Sequence, residues 1–349
     1  MDLKNTRFYG SKSEEILSQK VVAEIPAKNL LWQILEVDHG KVDHYQVLTS
    51  GDDDVLDTTN CAQTYLENLA EFGEISGDMS GSSAVPLGAD QSNTSLVVDD
   101  EWILKVFRKL ETGLNPDVEL LTDIADCHHV AGVRGHLTRD GQTLAMMQQL
   151  IHDGRDGFQL ALDPGLHNEN LLGEAIRNVH LALSDAFGTE SVPGSQIRDS
   201  LNAHLDEILT QTDALQDFED NLREIYSRVP DDEVEIQRIH GDLHLGQTLL
   251  SGDRWYLIDF EGEPARPLEQ RRLPDHALRD VAGMVRSFGY VHAMGGKADV
   301  DKLLAGYGIT PDPILNAYIA DKAAYEVVYE ANNRPDWVEI PLSAIRELS

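Results

Sequence analysis

Two short stretches carry the residues best suited to chemistry. "HGDLHLGQ" (residues 240–247) sets His240, Asp242, His244 and Gln247 within eight positions, and "WYLIDFEGEPARP" ends an apolar run on Asp259, 17 residues after Asp242. Taken alone, the first stretch admits a zinc site, because histidine and aspartate are ligands that zinc accepts, or a structural loop whose rings satisfy backbone carbonyls. Taken with the second, it has the parts of a phosphoryl-transfer site. Asp242 would accept the proton of an attacking hydroxyl, or orient it. Gln247 and Asp259 would offer hard oxygen ligands to magnesium, which neutralises nucleotide phosphates. Lys105, in the strand-like "WILKVF", would contact the α and β phosphates and be held by Glu119.

These residues need elements that position them. "KVVAEI", "LLWQILEVD" and "KVDHYQVLT" predict an N-terminal antiparallel sheet, with a tight turn at His39 and Gly40. "CAQTYLENLAEF" spaces Cys61, Tyr65, Leu66 and Leu69 for an amphipathic helix, and the loop residues of "GDMSGSSAVPLGADQSNTS" set a boundary near residue 77. "SLVVDDEWILKVF" predicts a hairpin turning at Asp99 and Asp100, in which Lys105 shares a face with Ile103 and Phe107. Glu119 falls in the first turns of the helix begun by "NPDVELL", and a second hairpin closes at Asp140 and Gly141. From residue 166 the period is helical, with one stripe through Leu172, Ile176, Val179 and Leu183 and another through Leu201, Leu205, Ile208, Leu222 and Ile225. "EVEIQR" reads as helix-like, and "TLLSGDRWYLIDF" as a strand pair.

The 349 residues include 28 basic and 61 acidic side chains, a net charge of −33 that repels nucleic acids and anionic membranes. Two cysteines, Cys61 and Cys127, are too few for a disulfide framework and suit a reducing cytosol. No apolar run reaches the ~18 residues of a membrane span and no signal-peptide core opens the chain, so the expected location is cytoplasmic.

The phrases "DQSNTSLVVDDEWILKVFRKLETGLNPDVEL", "QRIHGDLHLGQTLL", "WYLIDFEGEPARPLEQRRLPDHALRDVAGMVRSFGY" and "DKAAYEVVYEANNRPDWVEIPLSAIREL" resemble the aminoglycoside-phosphotransferase-like branch of the protein kinase fold. Within it they resemble the actinobacterial maltokinases and the related glucosamine kinases. The resemblance implies a bilobal α+β fold: a β-rich cap over 1–77, a nucleotide-binding N-lobe over 78–150 and a mainly helical C-lobe over 151–349. It implies ATP and Mg2+ as cofactors and phosphorylation of maltose at its anomeric hydroxyl. Maltose 1-phosphate would feed α-glucan synthesis from trehalose-derived maltose, with trehalose synthase a candidate partner. A glucosamine kinase of the same fold is the alternative, and a catalytically silent kinase-like binding module the alternative of another class. The chain departs from the wider superfamily in having Gln247 where most relatives have asparagine. In place of a glycine-rich phosphate loop it offers Ser92, Asn93, Thr94 and Ser95.

Within this frame His240 is expected to tie the loop to backbone, and Asp280 to bond the loop from its helix. His244 either lines the sugar site or bonds loop carbonyls, and Glu261 either serves metal or sugar or pairs with Arg266. The nucleotide hinge is expected at Gln148 and Gln149. Tyr325, Tyr329 and Asn333 share a helical face suited to a sugar ring, with Glu326 and Glu330 beside them.

Overall fold

The alternating apolar runs of the first 150 residues pair as antiparallel ladders. The structure, a computed structural model, describes all residues except 2, 11, 13, 89–92, 164, 165 and 349. It divides into one unit of Met1–Ala125 with Ala131–Ile151 and another of Asp126–Val130 with His152–Ser349.

In chain order the first unit contains β1 (Ser18–Ala27), β2 (Leu30–Asp38), β3 (Val42–Ser50), β4 (Asp53–Asp54), α1 (Thr59–Glu67), α2 (Leu69–Phe72), β5 (Glu74–Gly77), β6 (Ala84–Pro86), β7 (Thr94–Val98), β8 (Trp102–Val106), β9 (Lys109–Leu110), α3 (Pro116–Asp123), β10 (Val133–Arg139) and β11 (Gln142–Gln149). One sheet runs β1-β2-β3-β4 with β9 added to β3, and the other runs β5-β10-β11-β8-β7-β6. The β7–β8 hairpin turns through Asp99 and Asp100, both at positive φ (52° and 56°), a conformation that aspartate tolerates better than most residues. Gln46 of β3 joins the two sheets. Its fully buried amide donates to Phe107 O and Leu144 O (both 2.6 Å) and accepts from Trp32 Nε1 (3.2 Å) and Tyr65 Oη (3.0 Å). All of its bonding capacity is used, which offsets the cost of burying a polar group. The strands on either side of residue 77 therefore belong to one compact unit.

The second unit contains β12 (Arg155–Asp156), α4 (Gly157–Leu162), α5 (Glu169–Phe187), β13 (Thr189–Pro193), α6 (Gly194–Leu209), α7 (Glu219–Ser227), β14 (Glu233–Gln237), β15 (Thr248–Ser251), β16 (Arg254–Leu257), α8 (Leu268–Arg271), α9 (Leu278–Ala293), α10 (Val300–Tyr307), α11 (Pro313–Asn333) and α12 (Glu339–Glu347). The helix-like reading of "EVEIQR" is corrected here: it is strand β14, paired antiparallel with β13 from Thr189 opposite Gln237 to Pro193 opposite Glu233. Its Glu-Val-Glu-Ile alternation has period two, and the helical surroundings obscured it. The core of this unit is made by apolar stripes, including Leu172, Ile176, Val179 and Leu183 of α5, and by the inner faces of α9 and α11. Among the described residues no helix is long and apolar enough to cross a membrane.

Candidate active site

The His-Gly-Asp loop leaves β14 and is held from α9. Asp280, fully buried in the first turn of α9, accepts from His240 N (2.7 Å) and Gly241 N (2.9 Å). It also accepts from His180 Nε2 at 3.0 Å. A carboxylate only accepts, so His180 carries its proton on Nε2 and its Nδ1 takes the hydroxyl of Tyr307 at 2.8 Å. Burial would raise the Asp280 carboxyl, but the His180 bond and the Gly241 amide outweigh it and hold it below the ordinary range.

Two glycines make this docking possible. Gly241 adopts φ +86°, in the left-handed region, and Gly283, one turn beyond Asp280, lets α9 approach the loop so closely that a Cβ there would lie 2.4 Å from Leu243 O. The ring of His240 fixes the next residue. Its Nε2 donates to Ile258 O (2.9 Å), Asp242 N approaches Nδ1 at 3.4 Å, and the ring packs on Phe260 with centroids 4.5 Å apart.

Asp242 is thereby presented on a loop whose main chain is fixed. Its Oδ1 accepts from Lys322 Nζ at 3.2 Å, and Lys322 also donates to Glu263 Oε1 at 2.8 Å. Among the described residues Oδ2 has no hydrogen-bond partner. Glu263 is further bonded to Arg279 (2.7 Å) and Arg266 (2.8 Å). Burial would raise its carboxyl, yet Lys322, Arg279 and Arg266 together hold it down at about 2. Burial likewise opposes the Lys322 ammonium, but Glu263 and Asp242 keep it above the usual lysine range. Asp242, Glu263, Arg266 and Lys322 line a small pocket together with His204 and Tyr325. Its free volume of about 20 Å³ admits roughly one water molecule, well below the roughly 300–1,000 Å³ typical of small-ligand sites. The bond from His204 to Asp321 (2.8 Å) overcomes burial and raises the imidazole above its ordinary value.

A second group follows β16. Asp259 sits at φ +66°, and its Oδ2 accepts from Gln247 Nε2 at 3.0 Å. Carboxylate oxygens of Asp259 and Glu261 lie within 4.8 Å of each other. Arg266, weighed as a partner for Glu261, pairs with Glu263 instead. His244 opens the turn that carries Gln247, its carbonyl accepting from Gln247 N at 2.9 Å, and burial pushes its imidazole toward the neutral form.

In the first unit, Lys105 Nζ donates to Asp117 Oδ2 at 2.7 Å, both residues being buried. Asp117 stands at the start of α3, where the side chain of Asn115 caps its amide at 2.8 Å; Glu119 lies two residues further on and is partly exposed. Thr94 Oγ1 accepts from the guanidinium of the buried Arg108 (3.1 Å), Asn93 Oδ1 accepts from Arg108 N (3.2 Å), and Ser95 pairs across the sheet with Lys105. Ser92 lies outside the described residues. At the end of β11 the Oε1 of Gln148 is buried with no hydrogen-bond partner among the described residues, and Gln149 N is bonded to Gly132 O at 2.9 Å.

The tyrosine face divides. Tyr325 lines the pocket, whereas Tyr329 is 47% exposed and Asn333 turns its amide back onto Tyr329 O. Glu326 is bonded to Arg286, and Glu330 to Tyr290 and Arg334. Sequence reasoning did not single out Lys322, Glu263 or Asp117. The adjacent Asp321 and Lys322 in the otherwise apolar "ILNAYIADKAAYEVV", one turn before Tyr325, are the signal that could have found Lys322.

The β-rich N-terminal part, the helical C-terminal part and the His-Gly-Asp loop between β14 and β15 define a protein-kinase-like α+β fold. The profile of the phosphotransferase enzyme family matches residues 83–293, and the chain belongs to that family. A curated relative, a glucosamine kinase of Mycolicibacterium smegmatis, is 34% identical over an alignment of 133 residues that covers 31% of this chain and 33% of the relative. The matched stretch thus spans about a third of that relative's length. Among solved structures, a glucosamine kinase crystal form aligns with TM-score 0.74 at 18% identity over 97% of this chain and 96% of its own. A glucosamine kinase in complex with glucosamine, ADP and inorganic phosphate aligns with TM-score 0.70 at 16% identity, over 95% and 94%. At these identities the structural likeness speaks for the fold.

Proposed function

We propose that the protein transfers the γ-phosphoryl group of ATP to a sugar hydroxyl, with an aminosugar of the glucosamine type as acceptor. The observation that carries this reading is Asp242. One carboxylate oxygen is pinned by Lys322 and the other has no partner among the described residues, at the wall of a pocket lined with polar side chains. A base so placed can take the proton of an acceptor hydroxyl as the phosphoryl group arrives. Asp259 and Glu261 offer hard oxygen donors suited to magnesium, which would neutralise charge on the phosphates when bound, and Gln247, whose amide N–H here donates to Asp259, would add its amide oxygen by turning the amide over. Lys105, steadied by Asp117 and with Glu119 nearby on the same helix, would meet the nucleotide phosphates, and the hinge at Gln148 and Gln149 the base. The glucosamine kinase relatives support the aminosugar as acceptor.

Maltose is the second reading. The Lys322 ammonium beside Asp242 favours it, since a fixed cation opposes a protonated amine and leaves a neutral hydroxyl untouched. Trehalose synthase as a partner belongs to that reading alone. Coupled ADP release with glucosamine, maltose, glucose and an aminoglycoside separates the two. The expected order is glucosamine first, and maltose first would install the second reading. Asp242→Asn should lower turnover by ~10²-fold or more in a folded protein, and near-unchanged turnover would remove Asp242 from the role of base.

A further inference from the structure

We propose that Lys322 is a positioning residue for Asp242, an ammonium clamp that fixes one carboxylate oxygen and so aims the other at the acceptor. The inference rests on the kinase reading above and adds to it a residue from a distant helix. The main chain of the loop is already secured by Asp280, His240 and the close approach of Gly283, none of which touches the carboxylate of Asp242. An aspartate side chain on a fixed backbone still rotates about two bonds, and among the described residues its carboxylate is hydrogen-bonded by Lys322 alone, at 3.2 Å.

Lys322 can serve because it is itself held from three sides. Glu263 accepts at 2.8 Å, Asp242 at 3.2 Å, and the Tyr325 ring centroid lies 5.3 Å from Nζ. Glu263 in turn is fixed by Arg266 and by Arg279, and Arg279 is bonded to Asp275 at 2.9 Å. The chain Asp275, Arg279, Glu263, Lys322, Asp242 alternates in charge throughout, so each link tightens the next. A lone ion pair on the surface would contribute little, but Lys322 and Asp242 are each about three-quarters covered and belong to a network. Arg279 and Asp280 are consecutive residues. The first turn of α9 therefore sets Asp242 twice, through the main chain by Asp280 and through the side chain by the ion chain that begins at Arg279.

The test compares Lys322→Ala and Lys322→Arg with the unmodified protein, using steady-state ADP release and hydrogen exchange of residues 239–247. Lys322→Ala should lose roughly 10- to 100-fold in turnover, the scale of a misaimed reacting group, with the Michaelis constant for ATP unchanged. Added ethylammonium should restore a good part of that loss by occupying the vacated ammonium position. Lys322→Arg should keep most of the turnover. Exchange of the loop amides should be the same in all three proteins, because the backbone is held elsewhere. Turnover of Lys322→Ala within twofold of the unmodified protein, a loss that ethylammonium leaves untouched, or faster exchange throughout the loop would each overturn the proposal, the last by making Lys322 a structural support. An unmodified protein that releases no ADP with any sugar overturns the kinase reading instead. The exchange experiment still judges the placement of Lys322 in that case.

Discussion

Gly283→Ala tests whether the loop is docked on α9 as tightly as the geometry requires. The new methyl would stand 2.4 Å from Leu243 O, where ordinary contact begins at 3.4 Å, so helix and loop must part by about 1 Å. Both partners in the clash are backbone or fixed to it, and neither can turn aside as a flexible side chain would. Leu243 directly follows Asp242, so the displacement passes to the carboxylate. A misplacement of ~1 Å in a reacting group costs on the order of 10²-fold in rate, or about 2.7 kcal/mol of activation free energy. Alanine at a helix interior is intrinsically about 1 kcal/mol better than glycine, so the midpoint of thermal unfolding should fall less than a clash alone would cause. Gly289→Ala on the same helix is the control, since the nearest atom to its methyl is Arg286 Nη1 at 3.3 Å, a side-chain end that need give only a few tenths of an ångström. The assay is ADP release at saturating ATP and sugar, with circular dichroism to confirm folding. Gly289→Ala should keep its turnover. If Gly283→Ala also keeps turnover within threefold of the parent, α9 does not set the position of Asp242.

Asp259→Ala should abolish the magnesium dependence of ATP binding measured by calorimetry, and variant titrations with and without magnesium that both match the parent would remove Asp259 from the metal site. Gln46→Ala strands two carbonyls, an indole N–H and a phenol in a dry interior, and should cost about 3–5 kcal/mol in urea unfolding. A loss below ~1 kcal/mol would mean that water replaces the amide. Asp280 has a depressed carboxyl, so the stability it contributes is present above its ordinary value of 3.8 and is lost as pH falls below it. Asp280→Asn should be less stable than the parent at pH 7 and show a flatter acid limb between pH 5 and pH 2; parallel curves would dismiss that linkage.

The parts of the fold legible in the sequence are those written in neighbouring residues. β-Branched and aromatic runs marked β2 and β3, alternation marked β8, and paired turn residues at Asp99 and Asp100 and at Asp140 and Gly141 closed the β7–β8 and β10–β11 hairpins where expected. The order of "HGDLHLGQ" and "WYLIDFEGEP" was likewise local, because a loop, a short hairpin and a strand end keep His240, Asp242, Gln247 and Asp259 near one another whatever the rest of the chain does. What sequence could not supply was pairing across distance. Lys322 is 80 positions from Asp242 and 59 from Glu263, and Gln46 meets a carbonyl 98 positions away. Helical periodicity gave the face shared by Tyr325, Tyr329 and Asn333 but not its depth, and depth separates the lined pocket at Tyr325 from the exposed turn at Tyr329.

The placement of charge beside Asp242 bears on the acceptor. A chain with 61 acidic and 28 basic residues nonetheless gathers Lys322, Arg266 and Arg279 around one glutamate at the pocket wall. Arg279 also pairs with Asp275 and Lys322 with Asp242, so the three cations are matched by three carboxylates. An acceptor reaching Asp242 therefore meets a site whose negative charge is largely compensated, and a protonated amine gains little by pointing toward Glu263. If glucosamine is the acceptor, its amine must be recognised away from this ion chain, with Glu261 the carboxylate still to be assigned. Replacing Glu261 by glutamine, and comparing glucosamine with glucose, isolates that contribution. Selective loss of the glucosamine preference places the amine at Glu261, and equal loss for both sugars places Glu261 with the metal.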